Sequence, residues 1–224
     1  MTEFGRLAIV GGTGALGSAL AVACARAGLK VCIGSRDADR AAEAAAKIAH
    51  ATGTDVTGLE NISCAEAGDI VAVTVPSASQ VETLAAIAAK VTGKIVLDTT
   101  VPLMPPRVAR VQLPPEGSAA ARAANALGTD VRLVTGFHSV SAQKLRSGEK
   151  IDGDVLLFSD DIEAREVIVA LASAIGLRGI HAGPLANSVA AEALTSVLIG
   201  INKRYGIPEG AGIVVTGIRN GNEV

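Results

Sequence analysis

The stretch Gly11-Gly12-Thr13-Gly14-Ala15-Leu16-Gly17 constrains this chain more than any other. An apolar run at 7–10 precedes it and reads as a buried strand. The small, apolar residues 18–27 that follow suit a helix. Strand, glycine turn and helix in this order form the dinucleotide fingerprint, here Gly12-x-Gly14-x-x-Gly17. In that motif Gly12 permits the tight turn, Gly14 lets backbone approach a pyrophosphate, and Gly17 lets the helix pack close to the strand. Thr13, Ala15 and Leu16 complete the turn, whose helix start offers free N–H groups and a positive dipole end to phosphates.

The rest of the chain repeats this rhythm. Strands are expected at 7–10, 30–33, 70–75, 94–97, 131–135, 155–158 and 177–181. Most are apolar on both parities, as parallel strands covered on both faces must be. Helices are expected at 37–50, 78–91, 117–127, 162–175 and 186–204, the last stopped by Gly206 and Pro208. The pattern predicts an α/β, doubly wound, mostly parallel sheet of the Rossmann type, with a small C-terminal lobe. A boundary near Gly136 divides the chain into 1–136 and 137–224, or the two form one continuous domain. The segment 101–115 carries five prolines and reads as an irregular excursion from a strand's carboxyl end, where open α/β sheets bind ligands. The tail 210–218 alternates small and β-branched residues and reads as a late strand.

The second strand ends in Gly34-Ser35-Arg36-Asp37. An NAD site places Asp or Glu near here to accept from the ribose 2′-OH. A hydroxyl and a guanidinium stand here instead. Arg36 can hold a 2′-phosphate with bidentate, charge-assisted bonds, and Ser35 adds a donor. Arg40, one helical turn on, faces the same phosphate or is a solvated helix charge. Asp37 reads as the cap of the next helix. The pattern favours NADP(H) over NAD(H). Thr74-Val75-Pro76 ends another strand, and Pro76 either walls the nicotinamide position or simply stops the strand.

Bulk composition excludes several classes. A formal net charge of −2 gives no reason to expect nucleic acid or an anionic membrane surface. Cys24, Cys32 and Cys64 match no zinc or Cys-x-x-Cys spacing and read as buried reduced thiols. The first six residues lack the regions of a secretory leader, and no run reaches the ~18 apolar residues of a membrane span. A cytoplasmic enzyme acting on small molecules is expected.

These pieces together resemble the NADPH-dependent reductases of the 5-deazaflavin coenzyme F-420 (F420). The resemblance rests on Gly11-Gly12-Thr13-Gly14 with Leu16-Gly17, Gly34-Ser35-Arg36, Thr74-Val75-Pro76 and Thr100-Val101-Pro102. It continues through His138, Ala182-Gly183-Pro184-Leu185 with Asn187-Ser188, and Gly212-Ile213. It spans nearly the whole chain, though 103–127 and 143–165 match poorly. It implies a homodimer that carries NADP(H) across the Gly14 turn. It also implies a cleft for the deazaflavin lined by Val101, Pro102, His138, Val140, Gly212 and Ile213.

Hydride transfer between two such rings asks the protein mainly for orientation. His138 is the one strong polar candidate beside the reacting rings. It is read as a positioning group ahead of an acid–base catalyst, or as a histidine bonded to backbone. Asp98 reads as a turn-forming carboxylate, or as a partner of ribose. A short-chain dehydrogenase is excluded on chemistry, because the only tyrosine, Tyr205, is followed four residues on by Glu209 rather than lysine. An imine or carbonyl reductase, a flavin reductase and a non-enzymatic NADPH sensor remain as alternatives.

Overall fold

The computed structural model describes residues 4–208 and 210–218, so residues 1–3, 209 and 219–224 lie outside it. The chain begins with β1 (Arg6–Val10), α1 (Ala15–Arg26), β2 (Lys30–Ser35), α2 (Ala38–Thr52), β3 (Val56–Glu60) and α3 (Asn61–Ala67). It continues with β4 (Ile70–Val73), α4 (Gln80–Ile87), β5 (Ile95–Asp98), α5 (Ala119–Leu127) and β6 (Arg132–Thr135). The remainder comprises α6 (Ala142–Ser147), β7 (Asp154–Leu157), α7 (Ile162–Ala174), β8 (Arg178–His181) and α8 (Ser188–Tyr205). The first six strands form one parallel sheet in the order β3-β2-β1-β4-β5-β6. The order reverses between β1 and β4, so the carboxyl ends of those strands frame a crevice.

The apolar runs explain the sheet. β4 and β5 are buried at every position, and β1 and β2 at all but the first. The sheet is therefore covered on both faces by helices. α2 starts where Asp37 accepts from the Asp39 and Arg40 amides at 3.0 and 3.2 Å, and ends at Gly53 with φ 70°. Asp37 is thus the helix cap that the sequence suggests.

Several expectations need correction. β3, α3 and α6 are additional elements. The strand expected at 70–75 leaves the sheet after Val73, and the helix expected at 78–91 is α4 flanked by short 3-10 turns at Ser77–Ser79 and Ala88–Lys90. The tail is not a strand. It is strapped to β7, where Asp154 N–H donates to Ile213 O at 2.8 Å and the Asp154 carboxylate accepts from Val215 N–H and from Arg178. Arg178 holds that carboxylate below its usual range.

β7 and β8 form a separate parallel pair. It meets the large sheet through reciprocal Thr135–Phe158 backbone bonds, both 2.9 Å. Among the described residues one helical stretch, 185–205, is long and apolar enough to cross a membrane by length and composition, although polar residues interrupt it and it holds no unbroken apolar run of that length. Its one carboxylate through residue 202, Glu192, is buried and accepts from the Ala119 and Ala120 amides at the start of α5. That fits a helix packed on protein.

Candidate active site

A cleft of about 370 Å³ opens at the crevice between β1 and β4. Gly11, Thr13, Gly14, Ser35, Arg36, Arg40, Thr74, Val75 and Pro76 all line it. The glycines divide the labour differently from the simple motif reading. Gly11 carries the left-handed conformation of the turn, at φ 76°, whereas Gly12 is fixed by space. A Cβ on Gly12 would stand 2.7 Å from Ile33 Cβ and 2.8 Å from Ile9 O. Gly14 is exposed at the cleft, where a side chain would fill the cradle that a ligand needs. Ala15 is exposed and Leu16 half-buried on the first turn of α1, beside the cleft lining rather than in it.

The rim at the end of β2 is cationic. Arg36 and Arg40 are exposed and, among the described residues, neither has an ion pair or hydrogen bond through its side chain. The Ser35 hydroxyl oxygen accepts from Asp37 N–H at 3.3 Å, which leaves its O–H free to donate. The Asp37 carboxylate, the one acid at this rim, is engaged by the α2 amides. Two unpaired guanidinium groups and a hydroxyl donor suit a phosphate and give a ribose diol no carboxylate.

Asn61, Ser79 and Thr83 also line the cleft, and the sequence reading missed them. Asn61 Oδ1 accepts from Gly11 N–H at 3.2 Å and so pins the turn from the start of α3. The signal for Asn61 was its position at the end of β3, which went unseen with that strand.

A second region lies beyond β6. Phe137 is the one described residue other than glycine with positive φ, at 60°. A left-handed conformation in a bulky residue stores strain of about 1–3 kcal/mol and is a mark of functional loops. It delivers His138 into a buried position, 8% exposed, with Nε2 lacking a partner among the described residues. Burial pushes its pKa down to about 4. His138 and Val140 line a hollow of about 380 Å³ against α8 and the tail. His138 and Ile213 share a smaller one of about 10 Å³. Gly212 is exposed next to Gly153, and Val101 and Pro102 lie past β5 outside both hollows. The structure therefore gathers His138, Val140 and Ile213, and sets the other three residues apart from these hollows.

The low pKa makes a pH prediction. An imidazole at about 4 in the fold and 6.5 unfolded favours the native state above pH 6.5, and that stability is lost as pH falls through 4. Asp98 works in the opposite sense. Burial raises it from 3.8 to about 6, so its contribution is full below pH 3.8 and falls as pH rises through 6. Subtracting a His138→Leu variant from the wild type isolates the histidine. The difference in urea unfolding free energy should shift by about 3 kcal/mol between pH 7 and pH 4. A flat difference would mean that His138 is solvated.

A parallel sheet in this order, with a glycine turn and a cationic rim at its switch point, defines a dinucleotide-binding protein of the Rossmann class. The family described as coenzyme F420-dependent NADP oxidoreductase matches residues 6–102. The chain is 40% identical to the F420-dependent NADP reductase of Methanothermobacter thermautotrophicus, covering 95% of both chains. It is 36% identical to that of Methanocaldococcus jannaschii, covering 95% of this chain and 99% of the other. An Arthrobacter structure described as a candidate F420-dependent NADP-reductase superimposes with a TM-score of 0.80 at 22% identity. That match covers 93% of this chain and 98% of the other, and shows the shared fold. The chain belongs to the family of F420-dependent NADP oxidoreductases.

Proposed function

We infer that this chain transfers a hydride between NADP(H) and coenzyme F420. The observation that carries the reading is the nucleotide cleft, with an open glycine cradle at one end and two unpaired arginines at the other. The full-length similarity to F420-dependent NADP reductases supplies the second ring. NADP(H) brings the hydride donor or acceptor, and the deazaflavin brings its counterpart.

The chain's residues bind and orient. The N–H groups at the start of α1 and the bare Gly14 receive the pyrophosphate. Ser35, Arg36 and Arg40 take the 2′-phosphate. Thr74, Val75 and Pro76 wall the nicotinamide side, and Val101 and Pro102 face the acceptor. His138 acts as a hydrogen-bonding and positioning group. A neutral imidazole whose pKa lies near 4 is a poor proton source at neutral pH. The proton that accompanies the hydride then exchanges with solvent.

We read the molecule as a cytoplasmic homodimer divided near Gly136. Ala190, Leu194, Val197, Ile201 and Tyr205 form an apolar stripe along α8 that the chain leaves half-buried or exposed, which supports self-association. Three buried thiols, Cys32 and Cys64 with sulfurs 3.4 Å apart, suit a reducing compartment.

The test is oxidation of NADPH by the purified protein with F420 present, followed by loss of the deazaflavin's visible absorbance. Stoichiometric reduction is expected. Tight NADPH binding without reduction of F420 would move the reading to another acceptor or to a sensor.

A further inference from the structure

Asp98 is 1% exposed and Gln80 fully buried, yet neither belongs to the hydrophobic core proper. Asp98 ends β5, on the carboxyl edge of the sheet. Its Oδ1 accepts from Thr100 N–H at 3.2 Å and from the Thr100 hydroxyl at 2.6 Å. Its Oδ2 accepts from Gln80 Nε2. Gln80 opens α4, immediately after the segment 74–79 that walls the nucleotide cleft, and its Nε2 also donates to Ala119 O at 3.0 Å. The backbone oxygen of Asp98 accepts from Gly136 N–H at 3.2 Å, directly before Phe137 and His138.

One residue thus touches the loops after β4, β5 and β6. On the proposed function, these loops present the nicotinamide wall, the acceptor wall and His138. None of the contacts reaches solvent. A surface turn needs no such arrangement, because a buried carboxylate is costly unless its partners are fixed.

We propose that the Asp98–Gln80 pair is a positioning device for hydride transfer, setting the gap between the nucleotide-side loop and the acceptor-side loop. This rests on the proposed function. Neither side chain lines the nucleotide cleft, so the pair acts through the loops that it joins. Donor and acceptor must meet at close range, and a small misplacement by a remote group is enough to slow such a reaction.

The polarity of the pair makes it testable. In Asp98→Asn, the remaining oxygen is needed by Thr100, so the new amide nitrogen faces Gln80 Nε2, donor against donor. Turning the Gln80 amide would relieve this but replace the side-chain donor to Ala119 O by an amide oxygen, acceptor against acceptor. The double variant Asp98→Asn with Gln80→Glu reverses the polarity. The amide introduced on β5 would donate to one oxygen of a protonated carboxyl introduced on α4, whose O–H returns to Ala119 O.

Asp98→Asn should lower the kcat for F420 reduction by about 10–100-fold, and Gln80→Met should do the same. The Kd for NADP+ should stay within about threefold of wild type. The double variant should recover most of the lost kcat. In the ligand-free protein, amide hydrogen exchange should rise over 77–80 and 99–102 in the single variants and return towards wild type in the double variant. Unchanged kcat and exchange in Asp98→Asn would overturn the proposal. So would a joint collapse of stability, NADP+ affinity and kcat without rescue, which would mark the pair as fold support alone. If the wild type itself reduces no F420, the proposed function fails, and the exchange data still decide whether the pair ties the loops.

Discussion

Replacing Gly17 by alanine should cost this protein about 3 kcal/mol of stability and weaken NADP+ at least 100-fold. The methyl group would collide with Thr74 Oγ1 and stand 2.7 Å from Gly11 O and 2.9 Å from Gly12 Cα. A flexible side chain could yield, but here two of the three obstacles are backbone of the fingerprint turn itself. Thr74 is tied as well, since its hydroxyl donates to Val10 O at 3.0 Å. The helix must therefore lift from the strand, carrying its N-terminal amides away from the phosphate position. Gly200, inside α8, is the control. Nothing lies within 4 Å of a Cβ there, and its φ is ordinary. Gly200→Ala should be neutral or stabilising by up to about 1 kcal/mol, because alanine is the better helix former. Urea denaturation and calorimetric titration with NADP+ check both. Tight NADP+ binding by Gly17→Ala would show that the helix tolerates a wider separation than the contacts allow.

The same glycines show how far sequence reaches. The strand–turn–helix motif lies within a dozen residues, so local spacing carries it, and Gly14, Ser35, Arg36, Thr74 and Pro76 do meet in one cleft. Strands buried on both faces were legible from their unbroken apolar runs. β3 was not. Val56-Thr57-Gly58-Leu59-Glu60 is an edge strand, mostly half-exposed, and its glycine is there for packing. A Cβ on Gly58 would run into the backbone of Ala41 and Ala42, so α2 crosses the sheet directly over it. Neither parity nor propensity reports that kind of contact. With β3 went α3, and with α3 went Asn61.

Polar partners distant in sequence are harder still. Asp98 and Thr100 are two residues apart, which makes the turn-forming role readable. Gln80 is 18 residues away, and Glu192 reaches Ala119 across 73. A lone buried glutamine or glutamate in an apolar helix carries no local sign of its partner. The same holds for His138. Its place at a strand end was visible, while the depressed pKa comes from burial that involves α8, β7 and the tail. Local pattern therefore located the cleft at the glycine turn, and tertiary packing built the buried surroundings of His138.

Arg36→Ala should weaken NADP+ by about 100-fold, as expected for the loss of a bidentate bond to a charged group worth roughly 3 kcal/mol, while NAD+ changes by less than about threefold. The ratio of the two losses is the diagnostic quantity. Arg36 has no ion pair or hydrogen bond through its side chain among the described residues, so its removal leaves no protein group unsatisfied. The melting temperature should stay within about 1 °C of wild type, which separates a binding effect from a folding one. Arg40 sits one turn into α2 with the same exposure. As a single cationic contact it should matter less, about 5–10-fold. The electrostatic origin adds a second signature. If both arginines face the 2′-phosphate, raising the salt concentration should erode NADP+ affinity more steeply in wild type than in the Arg36→Ala protein. Equal losses on both nucleotides, with or without salt, would mean that Arg36 supports the adenosine half generally. The preference for NADP(H) would then have to come from Ser35 and Arg40 alone.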